Sequence, residues 1–125
     1  MKLKPAVKES YNLKTSNKNE QYFLARFTAG CTAIVVAITK DKIICANAGD
    51  SRAALCRKFS VEALSEDHKP ENPIERLRIE NAGVQIIQGR VNGLNLTRSI
   101  GDFGHKSAPG LPFHKQAITC IPDIK

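Results

Sequence analysis

The feature that most constrains the fold is a short apolar segment, Cys31–Ile38, whose alternating side chains are apolar in both sets. If the segment is a strand, one set points to each face of the sheet. The bulky set is Ile34, Val36 and Ile38, and the small set is Ala33, Val35 and Ala37. A strand that is apolar on both faces is typical of one covered on both sides. The segment therefore predicts a strand buried between two layers.

Three further strands are predicted to follow at short intervals, with a polar turn at 40–42 before the first of them. They are Ile43–Ala48, Arg52–Arg57 and Val61–Leu64. Gly49 and Asp50 lie between two apolar runs, a pattern that favours a tight hairpin with Asp50 at its tip. Four strands joined by short turns predict an antiparallel meander.

The pattern then changes to that of a helix, predicted over Pro73–Ala82. Asn72 is a favourable N-cap, and Pro73 suits the first helical position. Glu75 stands three residues after the cap, as in a capping box, and Gly83 suits the position after the helix. Beyond it we expect strands at 84–87 and 117–121, a turn at 92–93 and a loop over 101–114.

Composition and cysteine spacing exclude several classes of protein. Of the 125 residues, 42% are apolar and 25% are charged, so wholesale disorder is excluded. No apolar run approaches the roughly 20 residues that cross a bilayer, and no secretory apolar region stands near residue 1. We therefore expect an intracellular protein, cytoplasmic or nuclear, without a membrane partner.

The four cysteines, Cys31, Cys45, Cys56 and Cys120, form no Cys-x-x-Cys pair, which argues against a zinc site. The first three are predicted to be small core residues.

Positive charge is concentrated near the start of the chain. The net charge is +7, and residues 1–30 hold six basic against two acidic residues. We interpret residues 1–28 as a basic, weakly ordered leader on a nearly balanced domain over 29–125. A nucleic-acid partner is not expected, because no nucleic-acid motif accompanies the charge. The oligomeric state is left open.

Asp50 and His68 are the residues that most suggest chemistry. Phosphate-binding glycine loops and the zinc-protease and serine-hydrolase motifs are absent from the sequence. A carboxylate at the end of a strand suits Mg²⁺ or Mn²⁺, although a plain turn residue fits Asp50 as well. His68 suits a general acid or a structural hydrogen bond. Arg98 and Asp102 are spaced to form a buried pair that braces a turn.

Four segments occur together and in order: Ala46–Arg52, Asp67–Pro73, Arg90–Gly93 and Leu96–Phe103. This ordered set resembles the metal-dependent serine/threonine protein phosphatases of type 2C, over about residues 30–125. The residues before about 28 look unlike that family. The resemblance implies an α+β fold, part of an α/β/β/α sandwich of two antiparallel sheets flanked by helices and truncated at both ends. It also implies hydrolysis of phosphoserine and phosphothreonine in proteins, by a water that bridges two Mg²⁺ or Mn²⁺ ions.

The resemblance also implies roles for particular residues. Asp50 matches an acidic residue of a further, weakly held metal site beside the two-metal core. The stretch 66–93 matches the flap beside the catalytic cleft, with His68 and Asn92 facing the substrate. Arg52, Arg98 and Asp102 belong to motifs with a structural role.

The chain departs from the family in its metal ligands. The motif Asp-Gly-His-Gly-Gly, the later Asp-Gly and Asp-Asn motifs and the arginine that grips the substrate phosphate are not found in the sequence. We therefore expect the central part of a catalytic domain that is inactive by itself. A non-catalytic binding or regulatory module is the alternative, and a basic nucleic-acid binder ranks below both.

Overall fold

The computed structural model describes residues 27–125, and residues 1–26 lie outside the described part. Residues 27 and 28 are helical. The predicted leader over 1–28 falls almost wholly outside the described residues, so its weak order stays a prediction.

Besides the helical residues 27 and 28, one α-helix and nine short strands make up the regular structure of the described part. The strands are β1 (Gly30–Cys31), β2 (Ala33–Ile38), β3 (Ile43–Ala48), β4 (Ala54–Arg57), β5 (Ser60–Ala63), β6 (Ile86–Ile87), β7 (Arg90–Val91), β8 (Ile100–Gly101) and β9 (Asp123–Ile124), and the helix α1 is Pro73–Asn81. Two 3₁₀ turns, Phe103–His105 and Phe113–Lys115, interrupt the loop after β8. All strand pairs are antiparallel. The α+β class is thereby confirmed.

The predicted four-stranded meander is wrong. β3 lies between β2 and β9, with Asn47 opposite Asp123, while β4 pairs only with β5 as a separate hairpin. Because β9 occupies the edge of β3 that the meander would give to β4, Gly49 and Asp50 are not a hairpin tip. They begin a turn that carries the chain away from the sheet.

The two-sided burial predicted for β2 is also not met among the described residues. Val35 is 63% exposed and Ile38 is 77% exposed. Among the described residues β2 is an edge strand of its sheet, and its side chains beyond Ile34 are exposed. Two of the predicted core cysteines, Cys31 on β1 and Cys56 on β4, are exposed, whereas Cys45 on β3 is buried as predicted.

A cluster of fully buried apolar residues forms around Ile79 of α1. Ile79 packs with Val91, Ala117 and Ile118, all of them at most 2% exposed. The predicted strand over 117–121 is not formed. Thr119 makes a single parallel bridge to Arg98, and the segment contributes to the core as irregular chain.

The predicted helix ends agree with α1 to within one residue. Asn72 Oδ1 accepts a hydrogen bond from Ile74 N–H at 3.0 Å, so the N-cap is confirmed. Gly83, at φ +73°, follows the C-cap. Glu75 does not complete a capping box, because its carboxylate points inward to two arginines. No helix among residues 27–125 is long and apolar enough to cross a membrane.

Candidate functional site

The turn that begins at Gly49 directs Asp50 away from the sheet. Gly49 has a φ of +121°, and a Cβ there would lie 2.4 Å from Thr32 Cγ2. Only glycine tolerates both the backbone conformation and the close approach of Thr32. Ser51, two residues after Gly49, forms a hydrogen bond with Thr32, with 2.8 Å between the two hydroxyl oxygens. Asp50 is therefore held between two residues fixed to the start of β2.

His68 binds the same turn from the opposite side. Gly49 N–H donates to His68 Nδ1 at 3.1 Å, and the backbone N–H of His68 donates to Gly49 O at 3.1 Å. Because Nδ1 accepts, the neutral imidazole carries its proton on Nε2, which lies 3.1 Å from Asp123 Oδ2. The side chain is 2% exposed. His68, predicted to face substrate, instead joins the Gly49 turn to β9, since the whole side chain is enclosed.

The residues on either side of His68 form ion pairs with the same turn. Lys69 Nζ donates to Asp50 Oδ2 at 2.7 Å. Arg52 donates to both oxygens of Asp67, at 2.7 and 2.9 Å. The Arg52 guanidinium lowers the pKa of the Asp67 carboxyl below its ordinary value. Each residue of the segment 67–69 thus contacts the turn 49–52. The structural role of Arg52 stays a prediction.

A buried ionic cluster anchors α1 behind this contact. Glu75 is 1% exposed, and its carboxylate accepts from Arg98 at 2.6 Å, from Arg78 at 2.7 Å and from the Thr97 hydroxyl. Burial by itself would raise the pKa of Glu75, but these three donors outweigh it and lower the pKa to about 2. Glu75 is therefore a charged residue inside the protein, stabilised by two arginines.

Arg98 connects the cluster to β9. It donates from Nη1 to Asp123 Oδ1 at 2.6 Å, while Asp123 Oδ2 lies against His68. Partial burial would raise the pKa of Asp123, but the hydrogen bonds from His68 and Arg98 hold it below the ordinary value. A continuous chain of contacts thus runs from Glu75 on α1, through Arg98, Asp123 and His68, to the Gly49 turn.

The predicted pairing of Arg98 with Asp102 is wrong, although both residues are buried. Arg98 turns towards Glu75 and Asp123. Asp102 has a left-handed backbone, and its carboxyl group packs where a Cβ on Gly30 would stand, only 2.2 Å from Oδ2. Asp102 therefore braces β1, which is a structural role with a different partner.

Asn92 occupies the tip of an exposed turn. It has a φ of +51°, followed by Gly93 at +88°. Val91 and Leu94 exchange two backbone hydrogen bonds, at 2.9 and 3.0 Å, across this turn. The predicted turn is confirmed, and the substrate-facing role of Asn92 stays a prediction.

The described residues supply one carboxylate to a possible Mg²⁺ or Mn²⁺ site and do not complete such a site. Asp50 has an ammonium group, not a second carboxylate, against one of its oxygens. Among residues 27–125, no group of three or more His, Cys, Asp or Glu side chains is arranged to hold a metal ion. A divalent cation that takes six or more oxygen ligands is not matched by this set.

Sequence reasoning missed Glu75 and Asp123 as members of the site. Glu75 lies four residues before Ile79 and seven before Ala82, which places it on the buried face of α1. That spacing could have indicated an inward carboxylate. No local pattern marks Asp123, because its partners are 25 and 55 residues away in the sequence.

The family model that describes protein phosphatase 2C matches residues 1–125. The matched range includes residues 1–28, which we expected to look unlike the family. The chain is 53% identical over 98 residues to protein phosphatase ppm-1.G of Caenorhabditis elegans and 52% identical over 98 residues to protein phosphatase 2C homolog 2 of Schizosaccharomyces pombe. It is 46% identical over 119 residues to probable protein phosphatase 2C 2 of Paramecium tetraurelia.

These matches cover 78%, 77% and 94% of this chain and 20%, 26% and 38% of the three relatives. The chain thus spans between a fifth and two fifths of their length.

Two solved structures are similar to the described fold. A phosphatase from Toxoplasma gondii aligns with a TM-score of 0.63 and 28% identity, over 79% of this chain and 42% of that one. A structure described as a C. elegans sex determining protein aligns with a TM-score of 0.65 and 26% identity, over 96% of this chain and 32% of that one.

Proposed function

Because the chain belongs to the protein phosphatase 2C family, we propose that it forms part of a domain that hydrolyses phosphoserine and phosphothreonine in proteins with Mg²⁺ or Mn²⁺. The observation that carries the proposal is the rigid presentation of Asp50. Its carboxylate stands at the end of a strand, on a turn held by Thr32 and His68. A hard divalent cation prefers carboxylate oxygens, and a fixed ligand binds it with less ordering cost.

In this proposal, residues 29–125 are the central part of the catalytic domain and 66–93 form its flap. The buried pairing of Glu75 with Arg98 supports a flap whose helix is fixed to the rest of the domain. We propose that Asn92, which is exposed on a turn, contacts the substrate. The phosphoprotein partners are those whose phosphorylated residues fit beside this flap.

The isolated chain is proposed to be inactive, because Asp50 is a single carboxylate paired with Lys69. We place the protein in the cytoplasm or nucleus. Its four cysteines are all among the described residues and are free thiols, as suits a reducing compartment.

A chimera tests the proposal. The matched 98 residues of this chain would replace their counterparts in the phosphatase 2C homolog of S. pombe. We expect the chimera to hydrolyse a phosphothreonine peptide when Mn²⁺ or Mg²⁺ is added. In the chimera, Asp50→Asn should raise the metal concentration needed for half-maximal rate.

The matched control is Asp41→Asn, an exposed aspartate in the turn between β2 and β3. It removes the same charge and should leave the metal response unchanged. A folded but inactive chimera, or equal effects of the two variants, would contradict the proposal. Binding of phosphopeptide without hydrolysis by residues 1–125 would favour the non-catalytic module.

A further inference from the structure

The hairpin of β4 and β5 presents a serine hydroxyl group beside basic side chains. Ser60 is the first residue of β5, and it lies directly opposite Arg57, the last residue of β4, across a two-residue turn. Both residues are exposed, and so is Phe59 in the turn between them. Ser60 Oγ donates a hydrogen bond to Arg57 O at 3.1 Å. The hydroxyl group therefore belongs to an exposed side chain that is bound within its own turn.

The residues before Ser60 carry a charge pattern that favours recognition by a protein kinase selective for basic residues. Arg57 stands three residues before Ser60, and Lys58 stands two residues before it. Such a kinase has acidic side chains in its substrate groove, which pair with basic residues on the amino-terminal side of the acceptor hydroxyl. No other serine or threonine in the sequence has an arginine three residues before it. The charge pattern thus selects Ser60 among the hydroxyl residues of the chain.

The hairpin can open so that the acceptor segment enters a kinase groove in an extended form. Among the described residues, β4 pairs with β5 alone, over four residue pairs. A two-stranded hairpin is marginally stable in water, so it opens locally more readily than the whole protein unfolds. Val61, the residue after the acceptor, is 75% exposed, so little burial is lost when β5 separates from β4.

A basic cavity of about 440 Å³ lies between the hairpin and the turn after β2. Its charged lining consists of four basic and two acidic residues: Lys40, Lys42, Arg57, Lys125, Asp41 and Glu62. Glu62 is already opposed by two basic groups, since its carboxylate lies 3.7 Å from Arg57 and 4.0 Å from Lys125. Lys40 and Lys42 are exposed side chains that add further positive charge. The cavity therefore suits an anionic group.

The register of the hairpin places Ser60 on the face that borders this cavity. Residues directly opposite each other in an antiparallel pair have their side chains on the same face. Ser60 is opposite Arg57, and Leu55 is opposite Glu62. Arg57, Leu55 and Glu62 all line the cavity. A phosphate group on Ser60 would therefore stand beside the basic lining.

We propose that Ser60 is a phosphorylation site for a serine/threonine kinase that selects basic residues, and that the basic cavity holds its phosphate. In the reaction, Ser60 Oγ attacks the γ-phosphorus of ATP. The Oγ–P bond forms while the bond from that phosphorus to the β,γ-bridging oxygen breaks, and ADP leaves with the bonding electrons. The hydroxyl proton passes to the catalytic base of the kinase.

The phosphate adds a charge of about −1.5 to −2 at neutral pH. Arg57, Lys40 and Lys42 then offer it charge-assisted hydrogen bonds. The cavity includes Ile43, the first residue of β3, whereas Asp50 follows the last residue of that strand. The modification site is thus separate from the candidate functional site, and this inference does not rest on the proposed function.

The first experiment treats residues 1–125 with the catalytic subunit of a cyclic-AMP-dependent protein kinase and labelled ATP. We expect mass spectrometry to locate the phosphate on Ser60, and Ser60→Ala to abolish that labelling. Arg57→Gln should lower kcat/KM for labelling about tenfold. Arg76→Gln, which removes an exposed arginine of α1, is the matched control and should leave kcat/KM within about twofold. If Arg57→Gln loses its amide dispersion, Lys58→Gln provides a second test in the exposed turn.

The second experiment follows the phosphoserine by phosphorus-31 NMR as pH is varied. The reference is a phosphorylated peptide of residues 54–64, which carries the basic residues of the hairpin and lacks those of the turn after β2. In the protein, we expect the pKa of the second phosphate ionisation to lie about 0.5 below that of the peptide. Lys40→Gln with Lys42→Gln should return it to the peptide value, whereas Arg76→Gln should not.

The two experiments test the two parts of the proposal separately. A chain that is not labelled at Ser60 overturns the modification site, whether or not the peptide is labelled. Equal labelling rates in Arg57→Gln and Arg76→Gln overturn the recognition through basic residues. Equal phosphoserine pKa values in the protein and the peptide overturn the role of the cavity and leave the modification site standing.

Discussion

At the scale of single residues, His68 illustrates how a chemically versatile side chain can be used for position. Its Nδ1 accepts from Gly49 N–H, and its Nε2 lies against Asp123. Both ring nitrogens are therefore occupied by partners inside the protein. A general acid needs one nitrogen free for the reacting group. The residue instead holds the turn that presents Asp50.

Removal of this imidazole should destabilise the protein. His68→Ala leaves Gly49 N–H buried without its acceptor and opens a cavity, so we expect the free energy of unfolding in urea to fall by about 2–4 kcal/mol. His68→Asn is the matched control, because its side-chain oxygen can replace Nδ1 as acceptor. Hydrogen exchange at the Gly49 amide should be fast in the alanine variant and slow in the asparagine variant. Equally slow exchange in both would contradict this assignment.

Glu75 makes stability depend on pH in the acid range. Its pKa in the folded protein is about 2, below its ordinary value of 4.5, so the carboxylate form is favoured by folding. A lowered folded-state pKa stabilises the protein fully above the unfolded pKa, and this contribution is lost as pH falls from about 5 to about 2. The contribution is about 3 kcal/mol at neutral pH.

Glu75→Gln tests this prediction through unfolding measured between pH 7 and pH 2. The variant should be less stable at pH 7 by roughly 2–4 kcal/mol, because buried Arg98 and partly buried Arg78 lose the charged carboxylate that they share. Its stability should also depend less on pH below 5. Arg76→Gln, which alters an exposed pair with Glu80 on the same helix, is the control. A parallel pH dependence in wild type and Glu75→Gln would be evidence against the assignment.

At the scale of elements, α1 shows that the sequence signals for helix ends were correct, whereas the capping-box pattern was not. Asn72, Pro73 and Gly83 each set a helix end through the backbone of the residues beside them. Glu75 also has the position of a capping-box residue, but its carboxylate forms ion pairs with Arg78 and Arg98 instead. A charge-assisted hydrogen bond in the interior outweighs a bond to one backbone N–H at the helix end.

The N-cap should account for about 1 kcal/mol of the stability of α1. Asn72→Ala removes the acceptor of Ile74 N–H, and we expect a loss of roughly 0.5–2 kcal/mol in thermal or urea unfolding. Asn72→Asp keeps an acceptor at the same place and should retain most of the stability. A loss in Asn72→Asp as large as in Asn72→Ala would show that the cap is not the cause.

At the scale of the whole molecule, the described residues bury an apolar cluster around α1 and leave parts of β2 and β9 exposed. Val35, Ile38 and Ile124 are 63%, 77% and 64% exposed. An exposed apolar sheet with an edge strand is prone to associate with other chains.

We therefore expect residues 1–125 to self-associate as concentration is raised, in light scattering coupled to size-exclusion chromatography. Val35→Thr with Ile38→Thr keeps β-branched side chains and should shift the average mass towards the monomer. Phe59→Ser is the control, because Phe59 is fully exposed at a hairpin tip away from this sheet. A monomer at all concentrations in the wild type would contradict the prediction.

A feature of the fold could be predicted from the sequence when the residues that determine it lie close together in the chain. The bounds of β3 and the ends of α1 agreed with the sequence pattern, since periodicity and caps act within a few residues. The pairing of β3 with β9 joins Asn47 to Asp123, and the strand period does not encode a partner so far away. The meander was wrong for that reason.

In the candidate site, too, some features follow from the local sequence and others only from the tertiary structure. By itself, the sequence determined the ordered motifs of the family, the helix with its caps and the strand that ends beside Asp50. Only the tertiary structure decided that Lys69 forms an ion pair with Asp50, that Glu75 pairs with Arg98, and that His68 is buried. The physical reason is that a buried charge must pair with an opposite charge or a hydrogen-bonding group. Which group lies close enough to pair with it depends on the tertiary packing of the whole chain.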